Sequence, residues 1–348
     1  MIRDAIVIIV AASRQKWEKM GMKVARNFTG AFVLLSAFYL PLVGENGVSG
    51  QAITIATVPV GNPGNAALIT GFGSVPYSYN IGEYDVTSSQ YTAFLNAVAS
   101  TDTYGVYNSF MAGTTDGNPG IIQSGSSGSY TYSAAAGRGN YPVTDVTFWD
   151  TTRFANWLDN GQPTGAEGPG TTETGTYTLT PTGIANNTVT RNANHTWAVT
   201  SENEWYKAAY YTPLGDTGNS NPNYWLYPTQ GNTISPSLAN YYYGQADPDS
   251  TPVGSYAYPS YYGTYDQGGD VFQWNESIDA HIDRVLRGGS FDYPNSFLPA
   301  GGSFLSLGAS LENSNSGFRV SQVPEPASVW ILALGLSGML LRRRGARP

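Results

Sequence analysis

The pattern of hydrophobic and polar positions predicts three short helices in the middle of the chain. Each apolar stripe follows a hydroxyl residue that can cap a helix, with a side chain three positions later that can complete a capping box. The capping pairs are Thr87 with Gln90, Thr147 with Asp150, and Ser201 with Glu204. The apolar stripes are Tyr91, Phe94, Leu95 and Val98; then Trp149, Phe154, Trp157 and Leu158; and then Trp205 and Ala208.

The segments between these helices are rich in glycine, asparagine, serine and threonine. Residues 113–128 and 161–175 predict loops with short strands, while residues 176–179 and 196–199 alternate like strand segments. The chain has 41 glycines and 21 prolines, and only 12% of its 348 residues are charged, so it holds little material for long helices. We therefore expect short strands, a few short helices and long loops.

Residues 22–51 have the order of features that is typical of a secretory signal peptide. A short basic start precedes the apolar run Ala31–Val43, and small residues follow near Gly50 and Ala52, where we expect cleavage. A buried core helix is the alternative for the apolar run. Residues 1–21 do not fit this pattern, so they are either a misassigned start or an amphipathic extension.

Residues 323–348 form a second terminal segment. Val323–Ser328 contains Pro-Glu-Pro, residues 329–341 are apolar, and Arg342–Arg344 follow. This order resembles the PEP-CTERM sorting signal, which implies a bacterial protein that is moved across the inner membrane and cleaved near the motif by an exosortase-type enzyme. The apolar run is shorter than the roughly 20 residues of a stable membrane span. A plain C-terminal membrane anchor is the alternative.

The acidic balance of the chain is concentrated between the two terminal segments. The net charge is −8, but ten of the 17 basic residues lie before Gln51 or after Leu341. Between Gln51 and Gln322, seven basic and 21 acidic residues give 7 − 21 = −14. Such a body repels nucleic acid and anionic membrane surfaces, so we expect no nucleic-acid partner. It suits calcium, although an acidic surface can also simply keep an exported protein soluble.

The chain has no cysteine and only two histidines, His195 and His281. Disulfides, thiolate catalysis and thiolate metal sites are therefore excluded. A site of three histidines cannot form within one chain.

Seven sequence blocks between about Val58 and Val320 stand in the order of one known family. One block is Gly263–Trp274, which matches the pattern G-L-Y-D-M-x-G-N-V-W-E-W with Asp270 at the Asn position and Gln273 at the Glu position. The other blocks are Ile81–Leu95, Tyr141–Trp149, Val199–Trp205, Thr251–Ser255, Arg287–Phe291 and Gly317–Val320. Together they resemble the formylglycine-generating enzyme, or sulfatase-modifying factor, domain. We expect this domain to span residues 52–322.

The resemblance implies an α+β fold with a C-type-lectin-like core and much irregular structure. We expect the tryptophans of the blocks to lie in the core, and Gly288 and Gly289 to permit a tight backbone path. Arg319 is expected to pair internally with a carboxylate such as Asp145 or Asp266, because a buried arginine needs such a partner.

The family's oxidase activity depends on a pair of copper-binding cysteines in the segment that corresponds to Phe291–Ser316. No residue of this segment is a cysteine, so copper and formylglycine generation are not expected. The iron-dependent sulfoxide synthases of the same fold need a histidine-rich site, which two distant histidines do not supply.

The resemblance also implies a structural calcium ion. Its ligands would be the Asp266 side chain, the carbonyls of Gly269 and Val271, and the Gln273 side chain. The change from Glu to Gln273 removes a charge, for which the neighbouring Asp270 can compensate. A second family site would use Asn240, the carbonyl of Tyr241 and a later aspartate, for which Asp249 is the tentative choice and Asp247 the alternative. These residues could instead simply form hydrogen bonds within a loop.

These observations favour an exported protein of the cell surface or extracellular matrix with a non-catalytic domain. If its tail is not cleaved, it stays anchored in the membrane. We expect ligand contacts on Phe291–Ser316 and on the tyrosine-rich stretch Tyr241–Tyr265, since tyrosines give rigid contacts. The candidates are Tyr262, Tyr265, Phe291, Asp292, Tyr293 and Asn295. An exopolysaccharide or a surface protein is the expected partner. An enzyme of altered, cysteine-independent chemistry and a purely structural spacer are the alternatives.

Overall fold

The three predicted helices are present, and each begins at its predicted cap. The computed structural model describes residues 52–113, 119–242, 249–279 and 282–323. Helix α1 is Ser88–Val98, α2 is Phe148–Asp159, and a one-turn helix α3, Pro181–Ala185, precedes α4, Glu202–Tyr210. Complete capping boxes form in α1, α2 and α4, so two orphan backbone donors are satisfied at each start. The 3₁₀ turns Ser109–Ala112 and Asn295–Phe297 complete the helical elements of the described residues.

The strands are short and form three sheets within the described residues. They are β1 Thr57–Val60, β2 Tyr79–Gly82, β3 Ile121–Ser124, β4 Thr131–Ala134, β5 Trp197–Val199, β6 Phe272–Ile278, β7 Arg284–Arg287, β8 Leu305–Leu307, β9 Ser316–Phe318 and β10 Val320–Gln322. The first sheet has the antiparallel order β1-β2-β10-β5. The second is the β3-β4 hairpin, and the third has the order β8-β7-β6-β9, in which β6 and β9 are parallel. The fold is therefore α+β and rich in loops, as predicted.

One residue connects the two four-stranded sheets at the C-terminal end of the domain. Strand β9 ends at Phe318 and β10 begins at Val320, so the chain passes from the third sheet to the first through Arg319. Arg319 is fully buried. The polar contacts of this side chain therefore decide how the two sheets are held together.

Aromatic side chains of α1 and α2 form the centre of the main core. Tyr91 and Phe94 lie 5.9 and 5.5 Å from Phe154, measured between ring centroids, and Phe318 of β9 lies 5.3 Å from the same ring. All four are buried, and each buried phenylalanine stabilises the fold by about 1.5–3 kcal/mol. The prediction that the tryptophans of the sequence blocks are core residues is also confirmed, for Trp149, Trp157, Trp205 and Trp274.

The strand prediction is confirmed at residues 196–199, which contain β5, and is wrong at residues 176–179. There, Tyr177 forms only an isolated bridge with Arg191. The Asn156 side chain of α2 binds the Tyr177 backbone instead, accepting from its N–H at 2.7 Å and donating to its carbonyl at 3.0 Å. The Asn156 side chain thus makes the backbone hydrogen bonds that a neighbouring strand would otherwise make.

The backbone at Gly288 is as tight as predicted. Its φ is +101°, and a Cβ atom there would lie 2.9 Å from the carbonyl oxygen of Gln267. In the described part of the chain, no helix is long and apolar enough to cross a membrane. The predicted signal peptide and the apolar run of residues 329–341 lie outside the described residues.

The capping box of α2 makes the substitution Thr147→Ala informative. The Thr147 hydroxyl accepts from the Asp150 N–H at 3.1 Å and donates to the Asp150 carboxylate at 2.7 Å. We expect Thr147→Ala to lower the free energy of unfolding by about 0.5–2 kcal/mol, measured by urea denaturation. Thr147→Ser keeps the hydroxyl and should lose much less; equal losses in the two variants would contradict the capping role.

Candidate functional site

The guanidinium of Arg319 binds acceptors from three segments of the chain, which are residues 82–85, Tyr265 and Gln273. Its Nη1 donates to the carbonyls of Gly82 and Glu83 at 2.8 and 3.0 Å. Its Nη2 donates to Asp85 Oδ2 at 3.1 Å and to the Tyr265 carbonyl at 2.6 Å. The prediction of an internal carboxylate partner is confirmed, but the partner is Asp85 rather than Asp145 or Asp266. Asp85 stands in the block Ile81–Leu95, where the family pattern G-x-Y-E-V-T has its acidic residue, and this is the signal that could have identified it.

Gln273 also contacts Arg319, and both the oxygen and the nitrogen of its side-chain amide are hydrogen-bonded. Its Oε1 accepts from Arg319 Nε at 3.0 Å and from Trp205 Nε1 at 2.5 Å. Its Nε2 donates to the carbonyl of Asp266 at 2.9 Å. The oxygen that the family resemblance assigns to calcium therefore faces two N–H donors, one of them on a cation.

The set Asp266, Gly269, Val271 and Gln273 consequently does not fit a cation in this structure. The fold brings Asp266 next to Gln273, but through a hydrogen bond from the glutamine to the Asp266 backbone. Asp266 Oδ2 accepts from the Gly254 N–H at 2.6 Å. A calcium ion at Gln273 Oε1 would have to displace the buried Arg319, because like charges repel in a medium of low polarity.

The second predicted set is only partly free to bind a metal. Asn240 and Asp249 do lie together, since Asn240 Nδ2 donates to the Asp249 carbonyl at 2.8 Å. The Asp249 carboxylate, however, pairs with Arg138 at 2.7 Å. Tyr241 is buried, and Asp247 lies outside the described residues. No group of three or more histidine, cysteine, aspartate or glutamate side chains that could hold a metal occurs in the described ranges.

Three neighbouring buried carboxyl groups, those of Asp85, Asp266 and Asp270, have raised pKa values. Desolvation raises the pKa of Asp85 to about 7 against the pull of Arg319, and raises that of Asp266 to about 6. Burial and the nearby Asp266 raise the pKa of Asp270 well above its usual range. One guanidinium does not balance three carboxylates, so protons or a cation must supply the remaining positive charge.

Of the six residues predicted to contact a ligand, three are tyrosines that pack against other aromatic rings, and three have backbone or side-chain roles in the local structure. Tyr265 stacks on Tyr84 at 5.4 Å and Tyr262 on Tyr211 at 6.5 Å, both measured between ring centroids. Tyr293 packs edge-on against Phe272 at 4.9 Å. The remaining three predicted contacts have mainly structural environments. The Phe291 N–H donates to the Asp270 carbonyl, Asp292 accepts from Ser290 and Asn315, and Asn295 begins a 3₁₀ turn.

The structure contains an open cleft whose lining residues the sequence did not predict individually. Its volume is about 480 Å³, and it is lined by Pro236, Ser237, Thr251, Pro252, Ser255, Tyr256, Ala257 and Tyr258. The lining loop packs on the Tyr84–Tyr265 pair through Gly254, whose φ is +75° and whose Cβ would lie 2.8 Å from the Tyr84 ring. Among these described residues there is no carboxylate, imidazole or amine. Most of the lining belongs to the predicted tyrosine-rich stretch Tyr241–Tyr265. The path of the loop determines that Tyr256 and Tyr258 are the tyrosines that line the cleft.

Breaking the buried pair Arg319–Asp85 should strongly lower the free energy of unfolding. Arg319→Met leaves Asp85 without its cation, so we expect the free energy of unfolding to fall by about 3–5 kcal/mol, measured by urea denaturation. Arg138→Met breaks a pair whose side chains are 20% and 22% exposed, so water can reach Asp249 and the loss should be smaller. Similar losses in both variants would contradict the central role of Arg319.

The raised carboxyl pKa values predict that the domain is more stable at pH 5 than at pH 8. Between pH about 4 and 7, the folded state holds protons on Asp85 and Asp266 that the unfolded chain has released. The free energy of unfolding therefore falls as pH rises, by up to about 1.4 kcal/mol per pH unit for each group. Asp150, with a pKa of about 6, acts in the same direction.

Urea denaturation across this pH range measures the slope. Asp266→Asn removes one of the titrating groups and should make the slope shallower. An unfolding free energy that is constant or rises with pH in the unsubstituted protein would contradict the prediction.

Comparison with known proteins agrees with the sequence blocks. The family model "Sulfatase-modifying factor enzyme 1-like domain" matches residues 74–323, and the PEP-CTERM protein-sorting motif matches residues 322–344. The sorting motif indicates export, location at the cell surface or outside the cell, and processing by exosortase-type machinery. No curated protein matches the chain in sequence.

Similar solved structures include Treponema denticola variable protein 1. It is 18% identical with a TM-score of 0.50, and the match covers 79% of this chain and 98% of that one. CarF is 20% identical with a TM-score of 0.49, and its match covers 78% of this chain and 100% of that chain. PvdO from Pseudomonas aeruginosa is 19% identical with a TM-score of 0.42, and its match covers 72% and 82%. At these identities the Treponema likeness shows the fold alone. The family-model match over residues 74–323, together with the seven ordered sequence blocks, shows that this chain belongs to the sulfatase-modifying factor, or formylglycine-generating enzyme-like, family.

Proposed function

We propose that this exported protein uses its sulfatase-modifying-factor-like domain to bind a glycan at the cell surface, without catalysing a reaction. The observation that carries the proposal is the open cleft lined by Tyr256 and Tyr258. Its volume, about 480 Å³, is within the range of ligand pockets, roughly 300–1,000 Å³. The lining combines aromatic and proline surfaces with hydroxyl groups, which suit the apolar faces and hydroxyls of a sugar.

The charge of the domain narrows the class of glycan. The body of the chain carries 7 − 21 = −14, so it repels anionic polymers. A neutral polysaccharide is the partner that this surface favours. The exposed side of Tyr258, 48% accessible, provides a rigid ring at low entropic cost.

The absence of cysteine supports a non-catalytic role. The family's copper chemistry needs two thiolates, and the chain contains none. The tyrosine cleft also lacks, among its described lining residues, the carboxylates and imidazoles that serve as general acids and bases.

An enzyme of altered chemistry is the second candidate, and a different cavity favours it. This cavity, about 380 Å³, is formed partly by Gly308–Leu311, within the segment that carries the cysteines in the family. Asp283 lines it. A single carboxylate does not make an acid–base pair, so an enzyme of altered chemistry remains the second candidate.

A glycan array tests the binding proposal directly. We expect the fragment of residues 52–323 to bind neutral polysaccharides, and Tyr258→Ala to weaken that binding by about tenfold or more, since stacking contacts are worth roughly 1–3 kcal/mol. Tyr104 is 45% exposed and does not line the cleft, so Tyr104→Ala is the matched control and should bind normally. Equal binding by the two variants, or no binding to any glycan, would refute the proposal. An enzymatic activity of the purified domain that Asp283→Asn abolishes would instead support the enzyme of altered chemistry.

A further inference from the structure

A second group of tyrosine side chains lies on the segment that directly follows the cleft. Tyr258 lines the cleft and is 48% exposed, and Tyr261, three positions later, is 36% exposed. Measured between ring centroids, Tyr262 packs edge-on against Tyr261 at 5.2 Å and stacks on Tyr211 at 6.5 Å, with 12° between the planes. Tyr211 and Tyr262 are both partly exposed. These three rings, Tyr211, Tyr261 and Tyr262, form an aromatic surface that we call the tyrosine platform.

A tight turn of residues 260–264 carries the platform. The Ser260 N–H donates to the Thr264 carbonyl at 2.8 Å, and the Gly263 N–H donates to the Ser260 carbonyl at 2.9 Å. Ser260 and Thr264 are 2% and 1% exposed, and their hydroxyl oxygens lie 2.7 Å apart. The base of the turn is therefore buried while Tyr261 is exposed. A ligand that contacts this ring meets a segment that is already ordered, so binding loses little entropy there.

Side chains from other segments also hold the platform in place. Gln230 Nε2 donates to the Pro259 carbonyl at 3.1 Å, directly before the turn. The Tyr262 hydroxyl donates to Asn62 Oδ1 at 3.0 Å, and Lys207 Nζ donates to the Asn62 carbonyl at 2.8 Å. Asn62 is exposed, and because its side-chain oxygen accepts from Tyr262, its amide nitrogen is the atom that can donate to a ligand hydroxyl. The platform thus combines ring faces with a polar group at its edge.

The platform lies close to the cleft. Tyr258 and Thr264 line the same small cavity of about 10 Å³, so the base of the turn lies near a residue of the cleft. Tyr258 and Tyr261 are three chain steps apart, and three residues span at most about 11 Å. Tyr261 does not line the cleft itself, so a small sugar within the cleft does not need it. A run of linked sugars that leaves the cleft can reach both rings.

The charges of the domain exclude an acidic ligand. All seven basic side chains of residues 51–322 are ion-paired or buried. The paired residues are Arg138, Arg153, Arg191, Arg287 and Arg319, and the buried ones without a carboxylate partner among the described residues are Lys207 and Arg284. No free cation of the described domain is therefore offered to the carboxylate or sulfate groups of an acidic polysaccharide. Neutral sugars, whose rings have apolar faces and hydroxyl edges, match the platform instead.

We propose that the tyrosine platform is a second subsite for the ligand of the cleft, so that the protein binds along the chain of a neutral polysaccharide and favours long chains over short ones. The inference rests on the proposed glycan binding in the cleft. A sugar held in the cleft keeps the next part of its own chain near Tyr261. The second contact therefore forms at a high effective concentration and multiplies the affinity. Affinity rises with chain length until both the cleft and the platform are occupied.

Affinity electrophoresis of the full-length chain in mild detergent selects the probe. The gels contain dextran, laminarin, galactomannan or xyloglucan, which are soluble and neutral. Isothermal titration calorimetry then compares the disaccharide of the polysaccharide that binds with longer oligosaccharides cut from it. We expect the longest oligosaccharides to bind about tenfold or more tightly than the disaccharide. Tyr261→Ala should bind the longest oligosaccharides about tenfold more weakly and the disaccharide normally, whereas Tyr258→Ala should weaken both.

Two control variants separate the loss of the ring from other effects. Tyr261→Phe keeps the ring and should keep full affinity, and Tyr104→Ala removes a ring that is 45% exposed on another segment and should bind normally. Urea denaturation checks that each variant is folded.

The possible outcomes separate the platform from the cleft. Equal affinities for the disaccharide and the longest oligosaccharides, or undiminished binding by Tyr261→Ala, would overturn the platform and leave the proposed function intact. Binding that is weakened by Tyr261→Ala but not by Tyr258→Ala would refute the cleft as the primary site. No binding to any of the polysaccharides would refute the proposed function and, with it, this inference.

Discussion

The fold depends on how the positive charge of Arg319 is satisfied in the interior. An arginine side chain cannot give up its proton, so a fully buried one must be surrounded by acceptors. Here the acceptors come from the end of β2, from Asp85, from the Tyr265 carbonyl and from Gln273 on β6. Because Arg319 is also the single residue between β9 and β10, these bonds fix the two four-stranded sheets relative to each other.

This arrangement explains why an amide stands at position 273. Gln273 accepts from Arg319 and Trp205 and at the same time donates to the Asp266 carbonyl. A glutamate could not make the donated bond and would add a negative charge beside Asp85. In this chain the carboxylate instead stands three positions earlier, at Asp270, where the family pattern has asparagine. The Asp270 carboxylate accepts from the backbone and the hydroxyl of Thr251, at the start of the loop that lines the cleft.

The loop that begins at Thr251 connects the buried Asp270 carboxylate with the cleft. Thr251 binds Asp270 through its backbone and its hydroxyl, and the loop that follows carries Tyr256 and Tyr258 to the surface. Gly254 lets this loop lie directly on the Tyr84 ring. A charged interior and a tyrosine-lined exterior are thus two sides of one loop.

The sequence by itself determined the parts of the structure that depend on local rules. The capping residues Thr87, Thr147 and Ser201 fixed where three helices begin, since a cap satisfies backbone groups within its own first turn. The ordered blocks determined the family, and the lack of cysteine excluded thiolate chemistry. Only the tertiary structure decided which groups meet across long distances along the chain. The pairing of Arg319 with Asp85 and the hydrogen bonds of Asn156 to the Tyr177 backbone each join residues that no local pattern connects. Burial, rather than residue type, makes those contacts obligatory, because only in the interior is water absent as an alternative partner.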